Sequence, residues 1–221
     1  MMKVAIFDFD GTLYSKETFQ LLMEHLKQHP THRSKYKSFF RKILPLYIGY
    51  KMKLVPEAKM REGSMQIYAN TLDSLSKSEL NNYFEEVKEN MRQHFNAEVV
   101  TRVQQHHNDD MHVMLVSGAY TPLLHSVTEG IKFDTIIGTD IPFTANGVFD
   151  KDSAIYPIQG KRKTEKIMES LKGNEIDWKQ SFAYGDSYSD LPVLELVGNP
   201  VAVRPEERLK RVAIERDWVI M

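Results

Sequence analysis

The spacing of apolar residues changes character along the chain. Lys3 to Phe9 is a short apolar run that reads as a buried strand. From residue 15 to residue 95 the spacing is helical almost throughout. Phe19, Leu22, Met23 and Leu26 line one face of a helix over Thr18–His29, which Pro30 stops. Tyr36–Asn70 is helix-like but punctuated by Pro45, Gly49 and Pro56, and Ser76 with Glu79 makes a capping box ahead of a helix to about Phe95. A further helix follows over Glu98–His107.

Strands then alternate with helices. His112–Val116, Thr135–Ile137, Ser181–Tyr184 and Pro200–Val203 read as strands, and Trp218–Ile220 as an edge strand. Helices are expected from Thr121-Pro122 onward and over Lys163–Leu171, Leu191–Leu196 and Glu206–Glu215. Asn146-Gly147, inside Phe143–Phe149, signals a two-residue hairpin. Such alternation predicts an α/β fold with a parallel sheet covered on both faces. The helical block, directly after the first strand, reads as an inserted cap over 15–95, with residues 1–14 and 96–221 forming the core.

The 221-residue chain has no cysteine, which excludes disulfides, thiolate metal sites and a cysteine nucleophile. Met1–Asp10 does not read as a signal peptide, and Ile43–Tyr50, the longest apolar stretch, is broken by Pro45 and Gly49. Stable membrane insertion is therefore not expected, and a cytoplasmic setting is the default reading. The net charge of −1 hides an asymmetry: residues 27–61 carry ten basic residues and one acid, a net +9. Such a block reads either as a solvated helix face or as a surface for an anionic partner. Phe39, Phe40, Leu44, Leu46, Tyr47 and Tyr50 within it are expected in the cap's core or on the inner face of a lid. Beside these lysines, the same residues could instead meet a membrane surface.

Ligands of open α/β sheets bind beyond the carboxyl ends of the strands. The first strand ends in Asp8-Phe9-Asp10-Gly11-Thr12, the second in Ser117-Gly118, and the fourth in Gly185-Asp186-Ser187-Tyr188-Ser189-Asp190, while a helix opens with Lys161 and Lys163. Asp8, Asp10, Asp186 and Asp190 gathered at one edge would repel one another unless a cation sat among them. Oxygen-only ligands favour a hard ion, and Mg²⁺ is the usual one beside phosphate. In that setting Asp8 can act as a nucleophile toward phosphorus and Asp10 as general acid, then base. Ser117, Gly118, Lys163 and the backbone of Phe9, Gly11 and Thr12 would bind the phosphoryl oxygens, with Lys161 the alternative lysine. Asp186 would hold the cation, and Asp190 would ligate it or orient a water. His25 and His29, at i and i+4, could meet a zinc ion, but no third ligand is evident.

These four segments, in this order, resemble the motifs of the haloacid dehalogenase-like phosphohydrolase superfamily, and the stretch Asp186–Trp218 resembles its phosphoserine-phosphatase-like subfamily IB. The resemblance implies a Rossmann-like core with a helical cap, Mg²⁺, and an aspartyl-phosphate on Asp8. Asp10 argues against the dehalogenase and cation-pump branches, whose pattern lacks a second Asp. By the same resemblance, Glu17 would contact a substrate amine and Arg61 a substrate carboxylate, although Ser189 stands where phosphoserine phosphatases have Asn. The function implied is hydrolysis of a small phosphorylated metabolite, with no nucleic acid expected. The alternatives are phosphotransfer or mutase chemistry through the same intermediate, a phospho-receiver domain, or a module that binds anionic partners through the basic cap.

Overall fold

A computed structural model describes residues 1–221, in which six parallel strands form one sheet. The strands are β1 (Val4–Phe7), β2 (His112–Tyr120), β3 (Thr135–Thr139), β4 (Phe182–Gly185), β5 (Asn199–Ala202) and β6 (Val219–Ile220), in the order β3-β2-β1-β4-β5-β6. Residues on both strand faces are buried, as a doubly covered parallel sheet requires. Val4 and Ile6 with Met114 and Val116 belong to a cluster of 14 buried residues. That cluster is completed by α8 (Lys161–Ser170), α9 (Leu191–Leu194) and α10 (Glu207–Glu215). Ala5, Phe7, Val113 and Leu115 face the other way, into a cluster of 35.

The larger cluster also takes residues from α6 (Ala97–Asn108), α7 (Thr121–Val127) and the helices between β1 and β2: α1 (Thr18–Gln28), α2 (Arg33–Lys51), α3 (Glu57–Thr71), α4 (Lys77–Glu85) and α5 (Lys88–Arg92). Tyr68 is central there. Its hydroxyl donates to the Leu22 carbonyl at 2.9 Å, so Tyr83 donates to Tyr68 across their 2.7 Å contact. The helical segment is tied to the sheet by the Tyr120 hydroxyl, which donates to the Met65 carbonyl, and by the Ile155 N–H, which donates to Gln66 Oε1, each at 2.7 Å. Lys88 pairs with Glu129, and Arg92 Nε donates to the Val127 carbonyl, fixing α4–α5 beside α7. No helix is long and apolar enough to cross a membrane.

Four expectations change. The helix runs through Pro45 instead of breaking there. Pro45 is exposed, so the Arg41 carbonyl that loses its donor can be hydrated, and packing of Phe39 and Ile43 offsets the proline's cost. The helix after Ser76 keeps its capping box but divides into α4 and α5. The Asn146-Gly147 turn is a three-residue loop: Gly147, at φ +73°, donates to the Thr144 carbonyl, and Thr144 N–H donates to that of Val148. Only a single bridge, Phe143 to Phe149, flanks it. Finally, of the six cap apolars, Phe39 is buried and Leu46 and Tyr50 are half-buried, but Phe40, Leu44 and Tyr47 are exposed.

Adjacent phenylalanines on α2 should therefore behave oppositely. Phe39→Ala is expected to cost about 3–5 kcal/mol in urea unfolding, and Phe40→Ala less than about 0.5 kcal/mol.

Candidate active site

The chain moves from β1 to β2 and β3 on one side of the sheet, then returns to place β4 on the other side of β1. This reversal leaves a crevice beyond the carboxyl ends of β1 and β4. Asp8 follows β1 directly, and its N–H donates to the Tyr184 carbonyl of β4 at 2.9 Å. Asp186 follows β4 directly. Asp190 lies one turn further on, where its Oδ2 accepts from the N–H and hydroxyl of Ser187 at 3.3 and 3.1 Å. Oxygens of Asp8, Asp186 and Asp190 converge to within 4.8 Å of one another.

Lys163, in the first turn of α8, reaches into this group. Its Nζ donates to Asp8 Oδ1 at 2.5 Å and to Asp190 Oδ1 at 2.6 Å, and the side chain is 5% exposed. Lys161 points to solvent, so Lys163 is the lysine at the carboxylates. Burial works to lower the Lys163 pKa, but Asp190 and Asp8 outweigh it and hold the ammonium above its ordinary range. Burial, and then the Asp190 charge, raises Asp8 to about 7 against the pull of Lys163. Burial, Asp8 and Asp190 raise Asp186 to about 8. With all three carboxyls ionised, one ammonium leaves two negative charges uncompensated. That deficit, with an oxygen-only donor set, fits a divalent hard cation.

The carboxylate of Asp10 is not in this group, contrary to the expectation that it would be a cation ligand. Its Oδ1 accepts the Thr18 N–H at 2.9 Å, and also the Thr18 hydroxyl. Asp10 thus supplies the cap that Glu17, at the N-cap position of α1, does not make. Burial raises Asp10 to about 7, opposed by the Thr18 hydrogen bond and assisted by the charges of Asp8 and Glu17.

A cavity of about 280 Å³ opens over these groups. Asp8, Asp10, Ser117, Gly118, Lys163, Asp186 and Asp190 line one side, while α1 and α3 contribute Glu17, Thr18, Met60, Arg61 and Ser64. Ser117 Oγ accepts the Ala119 N–H at 3.0 Å, which directs its own proton elsewhere. Arg61 is held by Glu57 at 2.8 Å. The side chains of Phe9 and Thr12 are directed away from the cavity, whereas the expectation concerned the backbone, and the Phe9 N–H donates to the Asp8 carboxylate. The Phe9 ring packs on Tyr14 and Phe95, and Thr12 Oγ1 approaches Asp186 Oδ1 at 3.4 Å. Gly11 adopts φ +77°, and a Cβ there would lie 2.0 Å from Asp186 Oδ2, so only glycine lets Asp186 take its place.

Sequence reasoning missed Thr18, Tyr120 and Gln159 as site residues. Only Thr18 left a signal, an N-terminal threonine on a helix whose N-cap is a glutamate. Reasoning on His25 and His29 also missed Glu86, whose Oε2 lies 3.4 and 3.0 Å from their Nε2 atoms. His29 Nδ1 accepts the N–H groups of Thr31 and His32 at 3.1 Å. The His29 proton is therefore on Nε2, which presents a donor and not a lone pair to Glu86, so the trio does not fit zinc.

A carboxyl raised in the folded state keeps a proton that the unfolded chain has released. Its stabilisation is complete below about pH 4 and is lost as pH rises through about 7 to 8. In divalent-free buffer the melting temperature should therefore fall between about pH 5.5 and about 8.5, and fall less for Asp186→Asn. An Asp186→Asn profile as steep as the parent's would contradict this reading of the cluster.

Among curated relatives, the phosphoserine phosphatase SerB1 of Mycobacterium tuberculosis is 28% identical over 117 residues, 53% of this chain and 38% of that protein. The histidinol-phosphatase of Neisseria meningitidis serogroup C is 23% identical over 234 residues, 100% of this chain and 99% of the relative. The chain spans less than half the length of several curated relatives that it matches. A Bordetella pertussis Tohama I protein of unknown function shares the fold at TM-score 0.81 and 20% identity, covering 100% of this chain and 99% of that one. A substrate-bound phosphoserine phosphatase does so at 0.64 and 16%, covering 100% and 93%. The model for haloacid dehalogenase-like hydrolases matches residues 5–195, which include every one of these carboxylates and Lys163, and the chain belongs to that family.

Proposed function

We propose that the protein is a Mg²⁺-dependent phosphatase that hydrolyses a small phosphorylated metabolite through an aspartyl-phosphate on Asp8. The observation that supports this most strongly is the convergence of Asp8, Asp186 and Asp190, two of them bonded to Lys163, with Asp10 lining the same cavity on a separate hydrogen-bond system. Asp8, Asp186 and Asp190 would hold Mg²⁺, which when bound would offset their charge and polarise a phosphoryl oxygen. The curated relatives named as phosphatases agree with this activity.

In the first step an Asp8 carboxylate oxygen attacks phosphorus and the bond to the leaving oxygen breaks. Asp10, raised to about 7, is protonated often enough at neutral pH to give its proton to that oxygen. Lys163 keeps the Asp8 carboxylate oriented and adds positive charge beside the phosphoryl group, and the free proton of Ser117 can donate to a phosphoryl oxygen. In the second step Asp10, now ionised, takes a proton from water. The water oxygen bonds to phosphorus, the Asp8–phosphorus bond breaks, and phosphate and the Asp8 carboxylate are restored.

Residues 15–95 would act as the cap, with 1–14 and 96–221 as the catalytic core. Since α4–α5 are fastened to α7, opening would fall to α1–α3 and would have to break the Tyr120–Met65 and Ile155–Gln66 hydrogen bonds that hold α3. It would move Glu17, at the N-cap of α1, and Arg61. These two offer opposite charges to a substrate bearing charged groups beyond its phosphate. The hydrogen bonds from Thr18 to Asp10 tie the start of α1 to the acid/base residue, so substrate closure and Asp10 placement would be coupled.

Asp8→Asn should lower kcat on an aryl phosphate about a thousandfold or more while leaving the circular dichroism spectrum unchanged. EDTA should abolish turnover and added Mg²⁺ restore it. Activity retained in the Asp8 variant, or turnover indifferent to EDTA, would overturn the proposal.

A further inference from the structure

The outer face of α2 combines two features that a simple solvated surface does not need. The first is apolar exposure. Phe40, Leu44, Tyr47 and Ile48, at helical spacing, are 52, 40, 44 and 48% exposed, and the stripe continues into the following turn with Met52 at 64% and Leu54 at 73%. They neighbour the face on which Phe39 and Ile43 are buried but do not share it. The second feature is uncompensated charge. No acidic residue occurs between Pro30 and Pro56, and Arg33, Lys37, Arg41, Lys42, Lys51 and Lys53 make no ion pair. At 100° per residue, Lys37 and Lys51 fall within the angular range of the apolar stripe and Arg41 at its border. Lys51 also lies over the Tyr47 ring, 5.4 Å from its centre.

We infer that this face of α2, with the turn to α3, docks on an anionic lipid bilayer. A helix laid in a membrane interface buries a stripe of large apolar side chains at the acyl boundary while lysines and arginines beside it meet the headgroups. A second copy of the chain fits poorly, because pairing through the same face would set its unpaired cations, Lys37, Arg41 and Lys51 among them, against their own copies. The docked turn would lie close to the cavity mouth, since Met60 and Arg61 begin lining the cavity one turn into α3. The inference rests on α2 alone and stands or falls independently of the phosphatase chemistry.

The test is flotation of the whole protein with vesicles of phosphatidylcholine alone, or with phosphatidylglycerol added to about one part in three, at low and high salt. Anionic vesicles should carry about tenfold more protein than neutral ones, and high salt should remove most of the difference. The triple variant Phe40→Ser/Leu44→Ser/Ile48→Ser, whose sites are exposed, should keep its circular dichroism melt and lose about tenfold in flotation. Lys37→Glu/Arg41→Glu should lose binding to anionic vesicles in the same way. Absence of flotation, or flotation equal in parent and triple variant, overturns the inference. So does a dimer, seen by light scattering, that the triple variant dissolves, which would give the face to a second copy. Retention on immobilised polyglutamate without flotation, unchanged in the triple variant, would give it to an acidic protein and overturn the inference as well.

Discussion

Three converging carboxylates, two of them bonded to one buried ammonium, organise this molecule. Asp8, Asp186 and Asp190 come from two adjacent parallel strands, and Lys163 from the first turn of a helix behind them. Burial strengthens every interaction in the group, repulsive as well as attractive. The ammonium compensates one charge, while burial first, and then the neighbouring carboxylates, raise Asp8 to about 7 and Asp186 to about 8. The same imbalance that makes the isolated site costly would suit it to a divalent ion and, under the proposed function, to a phosphoryl group beside it.

The fold supplies that arrangement through its strand order. Because β4 returns to the opposite side of β1, the segments that end the two strands face each other without any long excursion of chain. Gly11 removes the one obstacle, a Cβ where Asp186 must stand. The acid/base candidate is kept apart from the ion cluster by a different device. Asp10 spends an oxygen on the first turn of α1, so its protonation is set by burial and Thr18 more than by the ion site. Two neighbouring aspartates thereby acquire different environments, which is the condition for one to attack while the other carries a proton.

Much of this was legible in the residues because near strand ends geometry leaves little choice of direction. Asp8 and Asp186 directly follow strands, and Ser117 lies late in β2, which runs on to Tyr120. Asp8, Ser117 and Asp186 follow apolar runs, and the parallel sheet brings the ends of such runs to one edge. The choice between Lys161 and Lys163 was not legible, because it depends on which side of α8 faces the sheet. The bonding of Asp10 to Thr18 was hidden for a similar reason, since an N-cap is normally sought at the preceding residue and here comes from eight residues upstream. The exposed stripe on α2 looked like core because Phe39 and Phe40 are chemically alike. Only the packing partner of the helix decides which of them is covered, and α3 covers the side bearing Phe39.

The central claim is that Asp8 itself takes up the phosphoryl group. The direct test is to quench the protein with acid during turnover of an aryl phosphate and to map the modified peptide by mass spectrometry. The account predicts one phosphoryl group on the peptide containing Asp8, absent when Asp8 is asparagine. A phosphoryl group on another residue, or turnover with unmodified protein at every quench time, would contradict it.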